Sequence, residues 1–275
     1  MLLMGDSGSG KTGSLASLVA AGYFLRILDM DNGLESLKQY IYKECPENIE
    51  NVEFRTIEDK YKSTAIGPIV AGQPRAFMDA TRMLDRWKYD DVDLGPPAEW
   101  GPDCILVLDS LTLFSDAAFN WAEPLVGSGK KSGEKDGRAI YYTAQGAIEK
   151  ELALLKSEAF RTNLIVIAHV SYIDREDGRT KGYPTTVGKA LSPKVPTYFN
   201  SIALCETGPG GKRTIQTAAT AMIDLKNPKP FEMLPKYDLS TGLADFFKVL
   251  RTPNERKSDV KSRPTASAGK LQSVL

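Results

Sequence analysis

Gly5-Asp6-Ser7-Gly8-Ser9-Gly10-Lys11-Thr12 is the stretch that decides how this chain is read. The eight residues fit the pattern G-x-x-x-x-G-K-[ST] in full. Before them Met1 to Met4 reads as the stub of a strand, and after them a helix is expected from about Lys11 to Ala21. Strand, glycine loop and helix in that order make a phosphate cradle. The glycines let the backbone wrap so that successive N–H groups face a β-phosphate, and the helix adds its positive amino end. In this reading Gly5, Asp6, Ser7, Gly8, Ser9 and Gly10 form the cradle. Lys11 reaches the β- and γ-phosphates, and the Thr12 hydroxyl ligates Mg²⁺.

Working outward, three apolar runs end in polar residues suited to chemistry. Tyr23 to Leu28 runs into Asp29-Met30-Asp31-Asn32-Gly33, a strand that ends in an acidic turn. A hydrolytic water needs a group to position it, and parallel-sheet enzymes take such groups from the carboxyl ends of strands. Asp31 is the candidate, although alternation points Asp29 to the same side and Glu35 is a further alternative. Cys104 to Leu108 reads as a fully buried strand ending at Asp109, which is placed to hold the metal, since Ser110 or Thr112 can cap the helix that follows. Asn163 to Ala168 is a third such run. It leads into His169, the sole histidine, either a sensor of the γ-phosphate or a satisfied polar group at a strand end.

Shorter strands are expected at Val52–Thr56, Ser201–Cys205 and Arg213–Thr217, and helices at Gln73–Lys88, Leu111–Trp121, Tyr141–Phe160 and Ser240–Leu250. Gly127–Gly137 and Ser171–Pro193 have loop composition. The expected architecture is α/β, a mostly parallel central sheet flanked by helices. It forms one domain over residues 1–250, followed by a polar, disordered tail over 251–275. Thirty-five basic residues balance thirty-five acidic ones, which excludes a global basic field and leaves nucleic-acid binding to local patches. Three widely spaced cysteines argue against a disulfide framework or zinc site, and the short apolar start argues against a signal peptide or membrane span. A cytoplasmic protein is expected.

Taken together, the phosphate loop, Ile27-Leu28-Asp29-Met30-Asp31, Ile105-Leu106-Val107-Leu108-Asp109-Ser110 and Ile165-Val166-Ile167-Ala168-His169 resemble the RecA-like P-loop ATPase core. Among its members the chain is most similar to small phage ATPases that act in recombination as single-strand annealing proteins. The resemblance spans roughly Met1 to Leu250 and implies ATP and Mg²⁺ as ligands, with ATP hydrolysis stimulated by DNA. It puts Asp31 where such enzymes usually have a glutamate base, so the shorter acid predicts slow hydrolysis. His169 falls at their polar sensor.

The same resemblance makes Leu125–Tyr142 and Ser171–Ser192 loops that face single-stranded DNA. Lys130, Lys131, Lys135, Arg138, Arg175, Arg179, Lys181 and Lys189 would meet phosphates there, and Tyr141, Tyr142, Tyr172 and Tyr183 would stack on bases. Single-strand binding or replication proteins and a homo-oligomer are the other partners it implies, in the cytoplasm of a bacterial host. A basic residue from a neighbouring subunit commonly completes such sites, and Lys226 is the candidate, although Pro228 stands where a paired arginine is usual. The oligomerisation segment that usually precedes the loop is not expected here. Two other functions share the loop: a helicase-loader or regulatory ATPase acting on a protein partner, and a small-molecule kinase.

Overall fold

The computed structural model describes residues 1–65, 67–126 and 136–252. In chain order the elements are β1 (Leu2–Gly5), α1 (Lys11–Ser14), α2 (Ala16–Ala20), β2 (Phe24–Asp29), α3 (Glu35–Glu44), β3 (Val52–Thr56), β4 (Tyr61–Thr64) and β5 (Gly67–Val70). Next come α4 (Ala76–Asp85), β6 (Lys88–Tyr89), β7 (Val92–Asp93), β8 (Cys104–Asp109), α5 (Leu111–Leu125), α6 (Gly137–Leu155) and β9 (Asn163–Ala168). The last are β10 (Val170–Asp174), β11 (Thr180–Pro184), β12 (Ile202–Thr207), β13 (Arg213–Gln216), β14 (Lys236–Asp238) and α7 (Gly242–Arg251).

Eight strands form one sheet in the order β14-β13-β12-β1-β9-β8-β2-β3. From β12 to β3 every pair is parallel, and the two strands at the far edge, β13 and β14, run antiparallel. The expected α/β sheet is therefore the one the chain forms. Strands buried on both faces need continuous apolar sequence. That is why β8, whose six residues are all buried, was plain as a run. Alternate side chains feed two cores. Leu2, Met4, Leu106, Leu108 and Val166 pack under α4, α5 and α6, while Leu3, Leu25, Ile27, Ile105, Val107 and Ile167 pack under α2, α3 and α7. Register then aligns the strand ends that matter. Asp29 lies opposite Asp109, Asp109 opposite Ile167, Met4 opposite Ala168 and Gly5 opposite Cys205.

Several boundaries differ from expectation for local physical reasons. Helix α4 is shorter than Gln73–Lys88 because the Asp59 carboxylate, from a distant loop, accepts from the N–H groups of Arg75 and Ala76 and fixes its start. The helix expected over Tyr141–Phe160 begins four residues earlier, where Asp136 caps Arg138 and Ala139, and ends at Leu155. Helix α5 continues past Trp121 to Leu125, with Pro124 in its last turn. Ser171–Pro193 is not one long loop: β10 and β11 pair as an antiparallel hairpin from Val170↔Pro184 to Asp174↔Thr180. Helix α3 has no counterpart among the expected elements, since it buries only Leu37 and Ile41. Most of the expected loop Gly127–Gly137, and the tail from Pro253 onward, lie outside the described residues. All three cysteines are free and buried. Among the described residues no helix is long and apolar enough to cross a membrane.

Candidate active site

The phosphate loop leaves the carboxyl end of β1 and closes on itself by packing and hydrogen bonds. Gly5 is required by close approach, because a Cβ there would stand 2.5 Å from Ser9 Oγ and 2.6 Å from the Cys205 carbonyl oxygen. Gly10, at φ +94°, turns the chain into α1 through a conformation that favours glycine. Leu15 keeps helical dihedrals between α1 and α2, so the helix expected over Lys11–Ala21 is continuous in direction. Lys11 is 7% exposed, and its ammonium donates to the carbonyls of Gly5 and Asp6, both at 2.9 Å. Burial lowers its pKa from the usual lysine value, against the pull of nearby groups that include Asp109, Asp31 and Asp6.

Thr12 Oγ1 donates to Asp109 Oδ2 at 2.7 Å, so the end of β8 meets the start of α1. Burial pushes the Asp109 carboxyl up to about 7, opposed by the bond from Thr12 and by the charge of Lys11. A hydroxyl and a buried carboxylate are the hard oxygen donors that Mg²⁺ takes when substrate phosphates and water complete its shell. The pair fits such an ion. Among the described residues no three His, Cys, Asp or Glu side chains form a cage that would hold a metal by themselves.

Of the three acids at the end of β2, one faces the loop. Asp29 is 1% exposed and held inward, accepting from Thr56 Oγ1 at 2.9 Å and from the N–H groups of Asp31 and Gly33 at 3.2 and 3.3 Å. It shapes the turn. Glu35 points to solvent and pairs with Lys38 at 2.8 Å. Asp31 instead lines a cleft of about 240 Å³ together with Gly8, Lys11, Thr12, Asp109 and His169. Its Oδ1 accepts from Ser110 Oγ at 2.7 Å, and His169 Nε2 lies 3.7 Å from its Oδ2. His169 is tied to the hairpin behind it. Its N–H donates to Thr112 Oγ1 at 3.1 Å, Thr112 Oγ1 donates to the Thr185 carbonyl at 3.3 Å, and the Thr185 N–H returns to the His169 carbonyl at 2.8 Å.

Residues 1–228 match the family model AAA_24, described as an AAA domain. The chain belongs to the AAA domain family. It is a P-loop ATPase, and nucleotide binding follows from the family. No curated protein matches its sequence. Among solved structures, the RadB recombinase aligns at 17% identity and a TM-score of 0.41, covering 78% of this chain and 79% of that one. An ATPase from the type III secretion system of pathogenic bacteria aligns at 11% identity and a TM-score of 0.40 over 74% of this chain. The chain spans about half, 51%, of that secretion ATPase.

Within the ATPase the sequence candidates Lys11, Thr12, Asp31, Asp109 and His169 come together around one cleft. Lys226, expected to serve a neighbouring subunit's site, is engaged within its own chain. It bridges to β12 through Ile202, and its ammonium donates to the carbonyls of Pro196 and Phe199 at 2.6 and 3.1 Å, which gives it a role inside its own chain. Leu125–Tyr142 is not a loop throughout. Leu125 ends α5, Tyr141 and Tyr142 lie on α6, and residues 127–135 fall outside the described residues. The Tyr141 ring packs on Phe119, with ring centroids 4.9 Å apart, and Lys181 is paired with Asp224 at 2.7 Å.

Ser110 and Arg213 are site residues the sequence reading missed. Ser110, expected as a cap with Thr112 as the alternative, does accept from the Leu113 N–H at 3.4 Å, while its hydroxyl also donates to Asp31. Its position directly after Asp109 was the available signal. Arg213 lines the same cleft from a strand edge about two hundred residues away in sequence, and no local signal marks it.

Proposed function

We propose that this ATPase binds ATP with Mg²⁺ and acts on single-stranded DNA in recombination, promoting annealing or strand pairing as the similar phage proteins do. Lys11 exchanges the Gly5 and Asp6 carbonyls for β- and γ-phosphate oxygens. Thr12 and Asp109 would hold the cation, whose chemistry when bound would be to offset charge on the phosphate oxygens. Asp31 accepts the proton of the attacking water, with Ser110 fixing one oxygen and His169 beside the other.

The observation that carries the reading is the path from Asp31 through His169 and Thr185 to the β10–β11 hairpin. A change at the γ-phosphate has a short route, a 3.7 Å approach of His169 to Asp31 followed by backbone hydrogen bonding at Thr185, to a surface that carries the half-exposed Tyr172 and the exposed Arg175 and Arg179. Anisotropy of a labelled single-stranded oligonucleotide at low salt, with ATP, ADP or no nucleotide, tests it alongside ATP turnover with and without DNA. Tighter DNA binding with ATP and faster turnover with DNA are expected. DNA binding that ignores nucleotide, together with turnover that ignores DNA, would overturn it. Capture of a replication protein under those conditions would point to the loader function instead.

A further inference from the structure

Arg213 belongs to two clefts at once. At the start of β13 it lines the phosphate cleft, and it also lines a neighbouring cleft of about 250 Å³ bounded by Gly13, Tyr40, Leu239 and Ser240. Gly13 is common to both, so the two spaces adjoin over the first turn of α1. The position of Arg213 is set by its own strand. Its carbonyl accepts from the Leu239 N–H at 3.3 Å, and its Cδ lies 3.1 Å from where a Cβ on Gly10 would stand. Leu239 presses on the same glycine, its Cδ2 2.7 Å from that Cβ position.

The guanidinium is held only loosely. Nη1 donates a long 3.4 Å bond to Tyr40 Oη, and among the described residues no carboxylate lies within ion-pair distance of it. An arginine beside a phosphate loop, exposed and without a carboxylate partner among the described residues, can turn to an incoming anion. Lys226 is engaged with backbone carbonyls, which leaves Lys11 and Arg213 as the lysine and arginine that line the phosphate cleft.

We infer that Arg213 is a phosphate clamp acting within its own chain. Its guanidinium leaves Tyr40 Oη for the phosphate oxygens of a nucleoside triphosphate whose nucleoside half lies between the Tyr40 ring and Leu239. The inference rests on the nucleotide-binding reading of the phosphate loop and names a residue and subsite that the loop motif does not contain. With the arginine between the two spaces and the tyrosine ring in the second, a single ligand can span both, charge toward Lys11 and ring toward Tyr40.

Calorimetric binding of Mg-ATP and of inorganic tripolyphosphate to the wild type and to Arg213→Gln, Arg213→Lys, Tyr40→Ala and Lys11→Ala tests this, each variant first checked for an unchanged melting profile. Loss of a charge-assisted contact predicts about tenfold or greater weakening of both ligands in Arg213→Gln, with partial recovery in Arg213→Lys. Tyr40→Ala should weaken ATP and leave tripolyphosphate unchanged. Mixing Arg213→Gln with Lys11→Ala protein should restore no turnover, since each site needs both residues from one chain. Unchanged affinity in Arg213→Gln while Lys11→Ala loses binding would overturn the clamp alone. Recovered turnover in the mixture would place the arginine in a neighbouring subunit's site and overturn it too. A wild type that binds neither ligand would remove the nucleotide reading with it.

Discussion

Replacing Asp109 by asparagine should make the ligand-free protein more stable at alkaline pH while destroying its use of a metal. Burial lifts the Asp109 carboxyl from 3.8 to about 7. Between those two values the folded chain holds a proton that the unfolded chain has released, so stability falls as pH rises through that window, and the loss is complete above about 7. At about 1.4 kcal/mol for each pH unit, a shift of about 3 units sets an upper limit of about 4 kcal/mol. Asparagine keeps an oxygen to accept from Thr12, carries no charge at any pH and escapes the penalty. In EDTA at pH 8, Asp109→Asn should exceed the wild type by about 2–4 kcal/mol, and the two should converge near pH 4. For a chain of 275 residues that is a rise in Tm of about 4–7 °C. Urea unfolding at pH 5 and pH 8, followed by tryptophan fluorescence, measures the difference. Adding Mg-ATP at 100 times its Kd should then stabilise the wild type by about 2.7 kcal/mol and the variant by much less. A variant less stable than the wild type at pH 8, or a gap that does not change with pH, would refute the assignment of Asp109 as a buried acid awaiting a cation.

Asp31→Asn should cut single-turnover hydrolysis by about 10²-fold or more while ATP affinity stays within a few-fold; equal loss of both would mean that Asp31 binds rather than positions water. Gly5→Ala should weaken nucleotide binding by about tenfold or more and lower the Tm, because the Ser9 hydroxyl can rotate away from the new methyl but the Cys205 carbonyl cannot. Wild-type affinity in that variant would show that the loop has slack. Lys226→Met should lower stability by about 1 kcal/mol by leaving two carbonyls without their donor, with kcat per folded molecule unchanged. A collapse of kcat at unchanged stability would instead return Lys226 to the active site.

The central strands and the phosphate loop were legible because both are written locally. A run such as Ile105 to Leu108 can only be buried, and the glycines and Lys11 stand at a spacing that few other uses require. Asp29 and Asp31 show where that kind of reading stops. Period-two alternation puts both on one side of a strand, yet Thr56 from β3 and the N–H groups of the turn capture Asp29 and leave Asp31 facing the cleft. The partner that decides lies on another strand. The β10–β11 hairpin was hidden for a different reason. Its residues carry the polar and glycine-rich composition of a loop, and only Gly182 and Pro184 on β11 are buried. Helix α3 offered two buried apolar residues one turn apart, too few to raise a periodic signal. Arg213 lines the phosphate cleft only because β13 pairs with β12 and β12 with β1, a tertiary fact.

The burial of every cysteine has a practical consequence. Cys45, Cys104 and Cys205 are each under a tenth exposed, and the Cys205 thiol is pushed up to about 12 by burial, so at neutral pH a thiol reagent meets no accessible thiolate on the folded protein. The natural chain is thus already a background for site-directed labelling. A cysteine placed at the exposed hairpin tip, as in Glu176→Cys, would take up a maleimide dye quickly while the native three stay unreacted. A change in the emission of that dye on adding ATP would show that the nucleotide moves the hairpin, in a molecule that keeps its phosphate loop, Asp31 and His169 intact.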